Sequence, residues 1–215
     1  MFRLPRVYPI LDTESLDRRG IALAAAAAAW LEGGAGILQI RHKAHWSREL
    51  FAACQEVARL CREAGATLII NDRADFAALL NAGLHLGQDD LPPRDARNVL
   101  GSDAIVGLSS HGAAQLSAAA AEPVDYVALG PIFSTASKRR PDPMVGLDEI
   151  RRSRGLTEKP LVAIGGISLA NARDAWSAGA DSVAVIAGLL PGTTTARALR
   201  ERMEEWNRLW RDPRA

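Results

Sequence analysis

The chain has 215 residues, 48% hydrophobic and 24% charged, with 26 Lys and Arg against 25 Asp and Glu. This apolar content sustains one large core and excludes a disordered chain. A net charge of +1 gives no global attraction to nucleic acid or to an anionic membrane, so neither is expected as a partner.

In chain order, short apolar runs alternate with helical patterns. Residues 1–6 are charged and pass at once into the strand-like VYPILD, so no leader peptide is expected. Strands are predicted over 7–11, 36–41, 67–71, 83–86, 104–108, 126–130, 160–164 and 182–186. Helices are predicted over 20–32, 46–64, 74–80, 93–99, 113–120, 147–152, 169–178 and 195–209. Runs such as LVAI and VAVI are apolar on both faces, as parallel strands covered on both sides must be. The alanine run at 22–29 sits in an apolar stretch of only 11 residues, against the ~18 or more that a membrane span requires. It is read as a helix pressed against the sheet. The glycines of GGAG, EAGA, NAG and SAGA each precede a strand and are expected to end helices in the left-handed region.

Eight strands in strict alternation with eight helices predict a single-domain α/β fold, a (β/α)₈ TIM barrel over 1–215. A doubly wound open sheet fits less well, because no GxGxxG turn follows the first strand. Cys54 and Cys61 lie seven apart on one predicted helix, about 10 Å at the helical rise. That is too far for a disulfide, and two small buried thiols fit a reducing cytoplasm. Trp206 and Trp210 on the last helix are read as packing residues, and a homo-oligomer is left open.

In such a barrel the chemistry belongs at the C-terminal ends of the strands. Polar groups fall there strand after strand: Gln39, Arg41 and Lys43; Asn71 and Asp72; His85, Gln88 and Asp90; Ser109, Ser110 and His111; Thr135, Ser137 and Lys138; Gly165 and Gly166. Each alone is a turn, a cap or a solvated edge. Their gathering at one end is not, since independent decoration would scatter between both ends. Arg41, Lys43 and Lys138 suit phosphate oxygens, and Asp72 with Asp90 could hold Mg²⁺ beside them. The amides near Gly166, Ile186 and Ala187 could hold a second phosphate. Neither GxSxG, a P-loop, HExxH nor a zinc spacing is present.

QIRHK (39–43), NDRAD (71–75), HLGQDDL (85–91), GLSSH (107–111), DYVALGPIFSTASK (125–138), VAIGGI (162–167) and AGADSVAVI (178–186) together resemble the thiamine-phosphate synthase family. The likeness runs from residue 7 to about residue 190 in order. It implies a transferase of thiamine biosynthesis on a (β/α)₈ barrel. The substrates would be two small molecules, hydroxymethylpyrimidine diphosphate and hydroxyethylthiazole phosphate, and the products thiamine monophosphate and diphosphate, with Mg²⁺ as cofactor. Diphosphate would leave first, giving a stabilised pyrimidine cation for the thiazole nitrogen to attack. The resemblance places Gln39 and His85 near the pyrimidine, and Arg41, Lys43, Asn71, Ser109 and Lys138 on the diphosphate. It assigns the metal to Asp72 and Asp90, and the thiazole phosphate to Thr135, Ser137, Gly166, Ile186 and Ala187. Arg41, Lys43, Lys138 and Ser109 would carry the catalysis.

Three departures stand out. Ser137 and Ala187 replace the family's usual threonine and serine, and the segment before His85 is one residue short, which would shift the strand-four turn. RRPDP (139–143) is read as a lid. Two other functions compete: a thiazole tautomerase using His111 as acid and base, and a non-catalytic thiazole phosphate-binding barrel.

Overall fold

The computed structural model describes residues 4–134 and 143–211. Eight parallel strands close into a barrel in chain order: β1 (Val7–Asp12), β2 (Ile37–Arg41), β3 (Thr67–Asn71), β4 (Gly83–Leu86), β5 (Val106–Ser110), β6 (Tyr126–Leu129), β7 (Leu161–Ile164) and β8 (Ser182–Val185). β8 returns to β1 through the pairs Val7↔Val183 and Pro9↔Val185. The helices are α1 (Thr13–Asp17), α2 (Leu23–Glu32), α3 (Arg48–Ala64), α4 (Ala74–Leu80), α5 (Pro93–Leu100), α6 (Ala113–Ala121), α7 (Gly146–Arg154), α8 (Ala172–Ser177) and α9 (Ala196–Arg211). The predicted (β/α)₈ barrel is therefore the observed fold.

The continuous apolar runs have a simple cause, because successive side chains point to opposite faces of a strand. One set, including Leu11, Leu38, Ile70, Leu84, Val127 and Val183, is buried under the helices. The other set, including Tyr8, Ile10, Ile37, Ile69, Tyr126, Val162 and Ala184, fills the barrel interior. Gly107 belongs to the inner set. A Cβ there would fall into the Tyr126 ring, so the glycine leaves the space this tyrosine occupies. The inner set turns polar toward the C-terminal ends. Ile10 is followed at i+2 by Asp12, Ile37 by Gln39 and at i+4 by Arg41, Ile69 at i+2 by Asn71, and Gly83 at i+2 by His85.

Several boundaries differ from expectation. β5 begins and ends two residues later than predicted, because Ser109 and Ser110 pair with Ala128 and Leu129 as strand residues. The predicted 169–178 helix starts only at Ala172. Before it, Asn171 folds back, its Oδ1 accepting the Ser168 N–H at 2.8 Å. α1 and a 3-10 turn, Ala187–Leu189, were not predicted. Gly65 and Gly179 do take positive φ. In NAG, however, the left-handed residue is Asn81, while Gly83 lies in β4, where a Cβ would collide with Ile69 at 2.5 Å. His85 stands in register between Asn71 and Gly107. The alanines of α2 contact α3, α9 and β1, so the helix is wedged between helices as much as against the sheet.

Candidate active site

A cavity of about 530 Å³ opens at the C-terminal ends of the strands. Ile10, Ile164, Ala184 and Ile186 supply its apolar walls, with polar side chains from β2 to β5 on one side and the turns after β7 and β8 on the other.

On the basic side, Arg41 ends β2 directly beside Asp12, the last residue of β1. Asp12 is 3% exposed and accepts three hydrogen bonds: from Arg41 Nη1, from the Ser15 N–H at 3.0 Å and from the Ser15 hydroxyl at 2.6 Å. One carboxylate thus caps α1 and holds Arg41. Lys43 Nζ donates to Asp72 Oδ2 at 2.5 Å. Asp72 has φ 66°, a left-handed conformation uncommon for a non-glycine residue, at the turn leaving β3. Burial pushes the Asp72 carboxyl above the usual range. Lys43 opposes that shift and Asp90 reinforces it. Asp90 is itself fixed by the Gly87 N–H, which donates to Oδ2 at 2.6 Å.

Deeper in the barrel, Gln39 Nε2 donates to the Tyr8 hydroxyl at 3.0 Å, and the Tyr8 and Tyr126 hydroxyls meet at 2.8 Å. His85 Nδ1 lies 2.9 Å from the Tyr126 hydroxyl, and its Nε2 lies 2.9 Å from Ser109 Oγ. His111 Nδ1 donates to the Gly130 carbonyl at 2.6 Å and lines the cavity. The histidine beside Ser109 is therefore His85 of the adjacent strand β4, and not His111, two residues along the chain.

The opposite wall is backbone. Gly165 and Gly166 have φ 97° and 65°. A Cβ on Gly166 would meet the Ser134 carbonyl and Phe133 Cβ, so this glycine is demanded by the loop after β6. Asn171 Nδ2 braces the same turn by donating to the Gly166 carbonyl at 3.0 Å. Across from it, Ile186, Ala187 and Gly188 line the cavity at the 3-10 turn. Trp206 of α9 supports that turn, its Nε1 donating to the Gly188 carbonyl at 3.1 Å.

A family model described as thiamine monophosphate synthase matches residues 7–189. The chain is 47% identical over 191 residues to a thiamine-phosphate synthase of Koribacter versatilis, covering 87% of this chain and 90% of that one. The chain belongs to the thiamine monophosphate synthase family. A Methanoculleus marisnigri thiamine-phosphate synthase is 43% identical over 202 residues, covering 92% and 94% of the two chains. Among solved structures, thiamine phosphate pyrophosphorylase from Pyrococcus furiosus superposes with a TM-score of 0.82 at 29% identity, covering 95% and 94%.

Of the residues that the thiamine monophosphate synthase likeness singled out, Gln39, Arg41, Lys43, Asn71, Asp72, His85, Ser109, Gly166, Ile186 and Ala187 line the one cavity. Asp90 adjoins it through Asp72. Thr135, Ser137, Lys138 and the 139–142 part of the expected lid lie outside the described residues. Sequence reasoning missed Asp12, Tyr8, Tyr126, Asn171 and the service of Trp206 to the Ala187 turn. Asp12 had a legible signal, being a polar residue that ends an apolar strand like the others.

Asp72 and Asp90 also pass a chemical test for a cation. Two carboxylates face each other with Lys43 as the compensating charge on Asp72, and burial, with Asp90 adding to it, holds the Asp72 carboxyl above the usual range despite Lys43. Among the described residues no cluster of three or more His, Cys, Asp or Glu could hold a metal. A two-carboxylate set suits Mg²⁺, which keeps water and phosphate oxygens as its other ligands.

Proposed function

We propose that this chain joins hydroxymethylpyrimidine diphosphate to hydroxyethylthiazole phosphate, forming thiamine monophosphate and releasing diphosphate. The observation that carries this reading is one cavity with two unlike anion-binding walls, Arg41, Lys43 and Asp72 on one side and the Gly166 and Ala187 turns on the other. The C–O bond to diphosphate breaks, its electron pair leaving with the phosphate oxygen. The ring nitrogen of the thiazole then forms the new C–N bond to the pyrimidine methylene cation. No proton need be removed from that nitrogen, which agrees with a site rich in cations. Arg41 and Lys43 hold the departing diphosphate, and Asn71 and Ser109 donate to its oxygens. Such fixed donors act on charge as it develops. Gln39 and His85 sit deeper, facing the pyrimidine. The amides at Gly166, Ile186 and Ala187 receive the thiazole phosphate, to which the family likeness also assigns the hydroxyls of Thr135 and Ser137. The family likeness assigns Lys138 to the leaving group as a further positive charge. Mg²⁺ held by Asp72 and Asp90 would supply charge neutralisation of the diphosphate.

The tautomerase reading keeps one supporting feature, the presence of His111 in the cavity wall. It leaves Arg41, Lys43 and the Asp72–Asp90 pair without a task. Release of diphosphate that requires both substrates and Mg²⁺ tests the proposal. Conversion of a single thiazole phosphate without a pyrimidine substrate would replace it. The two cysteine thiols, buried in α3 and pushed up to about 12 by that burial, fit a cytoplasmic setting.

A further inference from the structure

Five polar side chains from five different strands form one hydrogen-bonded chain through the barrel interior, in the order Gln39, Tyr8, Tyr126, His85, Ser109. Only its ends and His85 reach the cavity. Neither tyrosine lines it, so neither touches a ligand there. Both tyrosines are fully buried at 0–1% exposure, and burial holds their hydroxyls well above the ordinary tyrosine range. Each therefore carries one proton to place.

The placement follows from counting donors and acceptors. An amide nitrogen only donates, so the Tyr8 oxygen accepts from Gln39. Among the described residues the Tyr8 proton then has the Tyr126 oxygen, 2.8 Å away, as its acceptor. With that contact taken, the acceptor that the described residues offer the Tyr126 proton is His85 Nδ1 at 2.9 Å. A ring nitrogen that accepts is unprotonated, so neutral His85 carries its proton on Nε2 and gives it to Ser109 Oγ at 2.9 Å. The Ser109 proton is thereby turned away from His85 and into the cavity.

We propose that Tyr8 and Tyr126 are positioning residues that set the direction of this chain, so that Ser109 meets its ligand as a hydrogen-bond donor. This rests on the proposed function for what Ser109 meets. Diphosphate oxygens only accept, and a donor aimed at them forms a charge-assisted bond. A serine whose proton was spent on His85 would turn a lone pair toward the same oxygens. Fixing the direction beforehand removes the need to reorganise when the leaving group gains charge.

The test is long-range ¹H–¹⁵N NMR of the histidine rings in the unliganded full-length protein, with His85 assigned by the signals lost in His85→Asn. The expected pattern is an unprotonated Nδ1 and a protonated Nε2. Tyr126→Phe and Tyr8→Phe should each weaken that preference while the melting temperature shows both variants folded. The opposite tautomer in the native protein would mean that the Gln39 amide is turned over and the chain runs the other way, which overturns the proposal. A kinetic arm follows. Tyr126→Phe should lower kcat about tenfold with little change in KM, and Ser109→Ala should cost far less in the Tyr126→Phe background than alone, since residues in one network are not additive. Full additivity of the two changes would reduce Tyr126 to a packing role. If no diphosphate is released by the native protein, the functional reading fails, while the ring-nitrogen pattern still decides the proton order for or against.

Discussion

Lys43 Nζ and Asp72 Oδ2 meet at 2.5 Å across the ends of β2 and β3, yet the Asp72 carboxyl is still harder to ionise than an ordinary aspartate. Burial outweighs the lysine, and Asp90 on the other side adds to the shift. The pair is therefore an ion pair under strain, of the kind that a divalent cation would relieve.

A sign follows for stability. A carboxyl whose folded pKa is raised destabilises the folded state at pH values above that pKa. The penalty disappears as pH falls below the unfolded value, where both states are protonated. Asp72→Asn should thus raise the melting temperature of the metal-free protein at neutral pH, and the gain should shrink on acidification. Asparagine also tolerates the left-handed conformation at this position. Mg²⁺ should stabilise the native protein and leave Asp72→Asn unmoved. A variant that melts lower than the native chain at neutral pH would contradict the strain at Asp72, and one that still responds to Mg²⁺ would contradict the metal assignment.

The Asp12 carboxylate concerns the other cation. Asp12→Asn keeps a side-chain oxygen for the α1 cap, since asparagine caps as well as aspartate. It removes the charge that holds Arg41. With Arg41 free to adopt other rotamers, kcat/KM for the diphosphate substrate should fall about tenfold, or ~1.4 kcal/mol of transition-state binding. The thiazole phosphate KM should stay near its native value. Equal losses for both substrates, or a large drop in melting temperature alone, would show that Asp12 serves only the cap.

How much was legible in the sequence follows from the same residues. The barrel could be read because most strands carry apolar side chains on both faces, and that pattern is local. The rim could be read because Arg41, Asn71 and Ser109 stand at strand ends in short, recognisable runs. Tyr8 and Tyr126 could not. They are separated by 118 residues and look like ordinary strand aromatics, and only barrel closure brings their hydroxyls together. The same holds for Trp206, whose indole reaches Gly188 from the last helix. The sequence points to the amide near Gly166 as a phosphate donor, whereas the atoms nearest a Cβ there belong to Ser134 and Phe133. A ligand and a neighbouring loop demand the same missing Cβ, and sequence alone does not separate them.

That reading of Gly166 changes the experiment on the thiazole phosphate wall. Gly166→Val should unfold or badly destabilise the protein and impair both substrates, because the loop after β6 cannot move away without leaving β7. Ala187 is the better probe. It is exposed at the first position of the 3-10 turn, so a hydroxyl fits there without a clash. Ala187→Ser should lower the KM for the thiazole phosphate alone, by at most about 1.5–3 kcal/mol for a hydrogen bond to a charged group. An unchanged KM would place the phosphate away from this turn.

Two aspartates at the far end of the barrel repeat one device. Asp125, just before β6, accepts the Val106 N–H at 2.7 Å and pairs with Arg97 of α5 at 2.8 Å. Asp181, just before β8, accepts the Leu161 N–H at 2.8 Å and pairs with Arg154 of α7 at 2.7 Å. In both, the carboxylate caps the first amide of the preceding strand, while the arginine also holds carbonyls of the loop entering that strand: Ser102 and Ala104 for Arg97, which reaches Pro123 before β6 as well, and Thr157 and Lys159 for Arg154. Removing either carboxylate leaves a strand amide without its acceptor and an arginine without its counter-charge. Asp125→Ala and Asp181→Ala should each cost about 1–3 kcal/mol. In a chain of this size each kcal/mol corresponds to roughly 2–4 °C in melting temperature. These residues face away from the C-terminal rim, where barrels of this class carry their chemistry. At a temperature where both variants remain folded, their kcat and both KM values should match the native protein. A selective change in one KM would show instead that the two ends of the barrel are coupled. The two substitutions share no partner, so their stability costs should add to within about 0.5 kcal/mol.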